Sequence, residues 1–137
     1  MPISRRDLAW LLPALAAAQE KKPATLESKV YVYEDLPVKH SGANESRAVL
    51  NGATHGGFPV ELHMTDLGPG QVSHQPHRHA HEEIVMLRRG SLDMTISGKT
   101  TRMTAGSIAC IGSGDLHGAR NPGPERAEYF VIALGKA

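Results

Sequence analysis

Seven consecutive residues hold three histidines and two glutamates: His77-Arg78-His79-Ala80-His81-Glu82-Glu83. His77 and His79 are two apart, and on an extended strand such residues project to one face. Glu83 has the same parity. Two imidazoles and a carboxylate converging on a point suit a first-row divalent ion, because neutral imidazole and carboxylate are its usual donors. His81 also shares the parity; it becomes a ligand if the strand bends there, and otherwise lies at the mouth of a pocket. Glu82, of opposite parity, is expected on the outer face or in a turn. The bland alternative is a solvated His-rich turn.

A second segment argues against that alternative. Gly106 opens a short apolar run, Ser107 to Ile111, and Gly112-Ser113-Gly114-Asp115 closes it. His117 starts the next strand, and Asn121 follows. The two segments resemble the paired motifs of the cupin superfamily, G(X)5HXH(X)3-4E(X)6G and G(X)5PXG(X)2H(X)3N. His77, His79, Glu83 and Gly90 match the first from its HXH onward; Gly106, Gly114, His117 and Asn121 match the second. The first motif's opening glycine is Gly70, one residue further from His77 than the pattern asks. Gly112 stands where the second motif has proline. Both departures fall in turns, where they alter backbone stiffness more than topology. Neither touches a ligand position.

The resemblance covers about residues 28–135 and implies an all-β fold, a double-stranded β-helix (cupin) barrel or small jelly roll. It implies that His117 joins His77, His79 and Glu83 around one divalent transition metal (Mn, Fe, Ni, Co, Cu or Zn). Four protein ligands on an ion that prefers six leave two positions for water, dioxygen or a bidentate substrate. Binding needs neutral imidazole, so affinity should fall as pH drops toward about 6.5. Cupins include dioxygenases, decarboxylases, isomerases, storage proteins and sensors, so the fold does not select a function. Three readings stand. One is a metal-dependent oxygenase or decarboxylase acting on a small anionic molecule. Another is a non-catalytic periplasmic protein that binds a metal or small ligand. The third is a barrel whose metal only braces the fold. No general acid or base is assignable; His63 and His81 are the candidates. His74 and Gln71 are expected near the entrance, Asn121 in a turn, and His40 and His55 in solvent. A homodimer formed through outer sheets is the expected assembly.

The elements that must position these residues are strands. Lys29 to Tyr33 is β-rich, Val60 to Thr65 alternates, and Glu83 to Leu87 is strongly apolar. Leu92 to Ile96 alternates into the turn pair Ser97-Gly98, and Lys99 to Met103 returns. Ser107 to Ile111, Leu116 to Arg120 and Tyr129 to Leu134 complete the series. Short strands separated by Gly/Pro turns predict a sandwich or barrel. Met64, Met94 and Met103 are expected to fill core space. Cys110, the sole cysteine, is expected as a small buried strand residue and excludes an internal disulfide.

The N-terminus reads differently. Arg5-Arg6 precedes an apolar stretch from Leu8 to Ala18 and an Ala-rich cleavage site. This pattern predicts a secretory signal peptide of the twin-arginine type over residues 1–18, a linker over 19–27 and a barrel domain over 28–137. The protein would then be periplasmic or secreted. Export in the folded state would let the metal load in the cytoplasm, away from competing copper and zinc. The apolar stretch is too short to span a bilayer, which takes about 20 residues. A helical arm docked on the domain, or an uncleaved anchor, are the other readings. With 15 Lys+Arg against 14 Asp+Glu and no basic patch, nucleic acid is not an expected partner.

Overall fold

The computed structural model describes residues 22–136. The expected signal peptide, 1–18, and the first residues of the linker lie outside them. The described residues form nine strands: β1 Val38–Ser41, β2 Asn44–Ala53, β3 Pro59–Leu67, β4 Glu82–Arg89, β5 Ser91–Ile96, β6 Lys99–Thr104, β7 Ile108–Ile111, β8 His117–Arg120 and β9 Ala127–Leu134. They form two antiparallel sheets, a larger one ordered β1-β2-β3-β9-β4-β7 and a smaller one ordered β6-β5-β8. This is the expected all-β barrel. Among the described residues no helix is long and apolar enough to cross a membrane.

The core lies between the sheets. Leu67, Val85, Leu87, Ile111, Tyr129 and Val131 from the larger sheet meet Leu92, Met94 and Met103 from the smaller. Leu67, Leu92 and Ile111 are fully buried, each contributing about 1.5–3 kcal/mol relative to exposure. The alternation along β9 explains its place in mid-sheet: Ala127, Tyr129, Val131 and Ala133 point inward. Met64 is also buried, beneath the outer face of β3.

Two turns fix the register around the site. Ser97 and Gly98 both have positive φ, 47° and 84°, and join β5 to β6 with Ile96 opposite Lys99. That is the two-residue hairpin geometry whose twist matches the flanking strands. Gly90, between β4 and β5, has φ of 78°, and a Cβ there would lie 2.3 Å from the Arg126 carbonyl oxygen. Only glycine satisfies both conditions.

Two expectations are corrected, and a long strand is added. Lys29 to Tyr33 is not a strand; Val30 is 84% exposed, and a single 3-10 turn covers Tyr33–Asp35. These residues have β propensity but no sheet edge to pair with. Asn44–Ala53, rich in polar residues, forms the long strand β2 because β3 pairs with it from Glu45 to Ala53. Cys110 is exposed rather than buried. It alternates with inward-facing Ile111 on the edge strand β7, so its parity turns it outward.

Candidate metal centre

The His-rich run is a corner rather than a strand. Val72 and His77 form isolated antiparallel bridges to Arg120 and His117, so this stretch lies along the free edge of β8. His77 and His117 exchange both backbone hydrogen bonds, each 3.0 Å. By Glu82 the chain has entered β4 of the other sheet. His79 and His81 therefore sit where the chain crosses between sheets. The expectation that His77, His79 and Glu83 share one strand and its bend is corrected: His77 belongs to the smaller sheet's edge and Glu83 to the larger sheet. The Gly112–Leu116 loop holds the corner, with the Gly114 N–H donating to the His79 carbonyl at 2.9 Å and the Arg78 guanidinium donating to the Gly114 carbonyl.

Convergence survives that correction. The ligating nitrogens of His77, His79 and His117 lie within 4.8 Å of one another, a group that could hold a metal ion; His79, His81 and Glu83 make a second, overlapping group. His79 Nε2 is 3.2 Å from His117 Nε2 and 3.2 Å from Glu83 Oε1. His117 Nε2 is 3.4 Å from Glu83 Oε2. His81 is half-buried and lines a neighbouring opening with Phe58, Ala133 and Gly135. It stacks on His79 with ring centroids 3.7 Å apart, and its Nε2 lies 3.3 Å from Glu83 Oε1. Glu82 is exposed, as its parity predicts.

The tautomers decide what these contacts mean. His79 Nδ1 lies 2.7 Å from the His81 carbonyl oxygen, and His117 Nδ1 lies 2.9 Å from that of Asp115. A carbonyl only accepts, so each Nδ1 carries hydrogen and each neutral ring presents an Nε2 lone pair. Two lone pairs and a carboxylate then face one another at close range, which is unfavourable without a cation among them. His77 Nδ1 is buried without a hydrogen-bond partner. Burial first, then the neighbouring His74, His117 and His79, hold the His77 pKa below its usual 6.5, favouring the neutral form that ligates metals. The donor set and its backbone-oriented imidazoles fit a divalent transition metal.

Glu83 and His117 line a cavity of about 480 Å³. Inward-facing residues of the larger sheet stack in rows across β3, β9 and β4: Glu61, Ala133 and Glu83, then His63, Val131 and Val85, then Thr65, Tyr129 and Leu87. His63 faces this cavity with Nδ1 3.4 Å from Glu61 Oε1. His74 lies at the same opening, its ring edge-on to His77. His40 and His55 are exposed. Asn121 touches none of these groups. It is fully buried, donates to the Leu67, Gly68 and Glu125 carbonyls and accepts from Gly123 N–H, so it ties turns together. Sequence reasoning passed over Glu61 and Tyr129; the alternating parity of Val60 to Thr65 and Tyr129 to Leu134 was the signal that could have put both on the cavity side of the sheet, Tyr129 buried and Glu61 at the exposed rim.

The cupin domain family matches residues 63–133, just over half of the chain, and the chain belongs to that family. No curated protein matches. Among solved structures, an RmlC-like cupin from Shewanella frigidimarina aligns with a TM-score of 0.68 at 15% identity, covering 85% of this chain and 96% of that one. A predicted oxalate decarboxylase from Thermotoga maritima aligns at 0.65 and 18% identity, covering 79% and 100%. A sugar phosphate isomerase from Silicibacter pomeroyi aligns at 0.65 and 16% identity, covering 79% and 76%. Likeness at this identity shows the fold alone.

Proposed function

We propose that this cupin is a metal-dependent enzyme, an oxygenase or decarboxylase, acting on a small anionic molecule. His77, His79, Glu83 and His117 hold one divalent transition metal. The observation that carries the reading is the cavity: Glu83 and His117 open onto a volume of about 480 Å³ that also contains the Glu61–His63 pair. Small-molecule sites occupy this size range, whereas a bracing metal needs no cavity beside it. A bound ion would supply Lewis acidity toward a substrate carboxylate and, if redox-active, a route to oxygen chemistry. The chain's own residues do the rest. Glu61 orients His63, whose Nε2 is free to take or give a proton. Val85, Met94, Ile111, Ala119 and Val131 give the cavity dry walls. Turnover of dicarboxylates, diols or catechols separates this enzyme from a binding protein without turnover.

The first test is the metal content of the protein beside its His79→Ala variant. About one equivalent of a redox metal per chain, lost in the variant, supports the site and directs attention to oxygen chemistry. One equivalent of zinc shifts weight to lyase or bracing roles, and no metal in either protein refutes the four-ligand centre.

Two further parts of the reading concern setting. We propose export by the twin-arginine route, on the strength of Arg5-Arg6 and the following apolar stretch. We also propose a homodimer. Ile84 and Met86 on β4, Ile108 on β7 and Phe130 and Ile132 on β9 lie together on the outer face, with Ile108 64% exposed. A second copy covering this stripe would bury it.

A further inference from the structure

We infer that the deep end of the cavity is a second ligand subsite, in which the Tyr129 hydroxyl donates to a carboxylate or carbonyl oxygen of a molecule held at the metal. This rests on the metal-centre reading and extends it, because it makes the preferred ligand one with oxygens at both ends.

Four observations support it. Tyr129 lines the same cavity as Glu83 and His117 and is only 3% exposed. In the rows across the larger sheet it stands two below Glu83, with the aliphatic Val131 and Val85 between. Glu83 is near enough for its charge to bear on the phenol. Thr65, directly opposite on β3, and Ser73, from the β3–β4 connection, line the cavity together with Tyr129.

Ser73 and Thr65 line the cavity beside Tyr129, and each has a hydroxyl able to donate to the phenol oxygen. The proton on Tyr129 itself remains for a ligand in the cavity. Burial, the dominant influence, pushes the phenol above its usual 10, so it stays protonated at neutral pH. Among the described residues, the one lysine lining the cavity, Lys39, is on exposed β1 at its outer side. A neutral donor at the deep end suits an oxygen whose charge is shared with a metal-bound group at the other end. Leu67, Val131, Met94 and Ala119 supply an apolar wall for the carbon chain between.

The test titrates the cobalt(II)-loaded protein with acetate and with succinate, following visible absorption. Acetate reaches only the metal; succinate can reach both ends. The expected result is succinate affinity about tenfold weaker in Tyr129→Phe with acetate affinity unchanged, as for loss of one hydrogen bond to a charged group. Ser73→Ala, which leaves the ring in place, should lower succinate affinity by a smaller factor, again sparing acetate. Equal weakening of both ligands, or no change in either, overturns the subsite. Cobalt stoichiometry is measured on the same samples. One equivalent in the wild type without succinate selectivity overturns this inference alone, whereas none overturns the metal centre and the subsite with it.

Discussion

Asn121→Ala isolates the scaffold from the site. Asn121 is completely buried, and its amide group serves three carbonyls, Leu67 at 3.0 Å, Gly68 at 3.0 Å and Glu125 at 2.7 Å. It has only two N–H protons, so one is shared. Its oxygen accepts from Gly123 N–H at 2.8 Å. Alanine therefore removes about three hydrogen bonds' worth of interaction at about 1 kcal/mol each and leaves buried backbone groups dry. The expected loss is about 3–4 kcal/mol. For a domain of this size that lowers Tm by roughly 12–16 °C, at about 4 °C per kcal/mol. Urea denaturation and calorimetry measure both. Asn121→Asp keeps the acceptor for Gly123 but sets a carboxylate against three carbonyl oxygens, so it should cost at least as much. Metal stoichiometry below the transition should match the wild type, because Asn121 contacts no histidine of the centre. A loss under about 1 kcal/mol for the alanine variant, or an aspartate variant as stable as the wild type, would refute the account of this side chain.

Other expectations follow from single features. Gly90→Ala combines a φ of 78° with a Cβ placed 2.3 Å from a backbone oxygen; it should cost at least about 2–3 kcal/mol or prevent soluble expression, as denaturation shows. The raised pKa of Tyr129 means that its contribution to stability is whole below pH about 10 and is lost as pH rises through the folded value. Stability against pH from 8 to 12 should fall more steeply in the wild type than in Tyr129→Phe. Ile108→Asp, on the exposed stripe of β7, should halve the solution mass found by light scattering if two copies meet there, while leaving the monomer folded.

The barrel and the gathering of its histidines were legible because both are short-range patterns. Alternation along Val60 to Thr65, Leu92 to Ile96 and Tyr129 to Leu134 sets which residues face inward, and Ser97-Gly98 names its own turn. The HXH and glycine spacings marked the corner and the loop that holds it. What failed depended on pairing partners. β2 is a strand because β3 lies beside it, not because Asn44–Ala53 has strand composition. Val30 and Tyr31 have that composition and no neighbour. Parity misplaced His77 relative to Glu83 because it presumes one continuous strand, and the chain changes sheets between them. Cys110 was misjudged because average burial of a residue type says nothing about which face of an edge strand it occupies.

The change of sheets at His79 has a mechanical consequence. His77 and His117 are tied to the smaller sheet and Glu83 to the larger. An ion gripped by all three would act as a rivet through both leaves of the sandwich, so its affinity would register how the leaves are seated against each other. Core substitutions far from the histidines, such as at Leu92 or Met103, would loosen that seating and raise the metal dissociation rate without touching a ligand. Conversely, loading the ion would slow hydrogen exchange across β4 and β8 together, although the strands belong to different sheets.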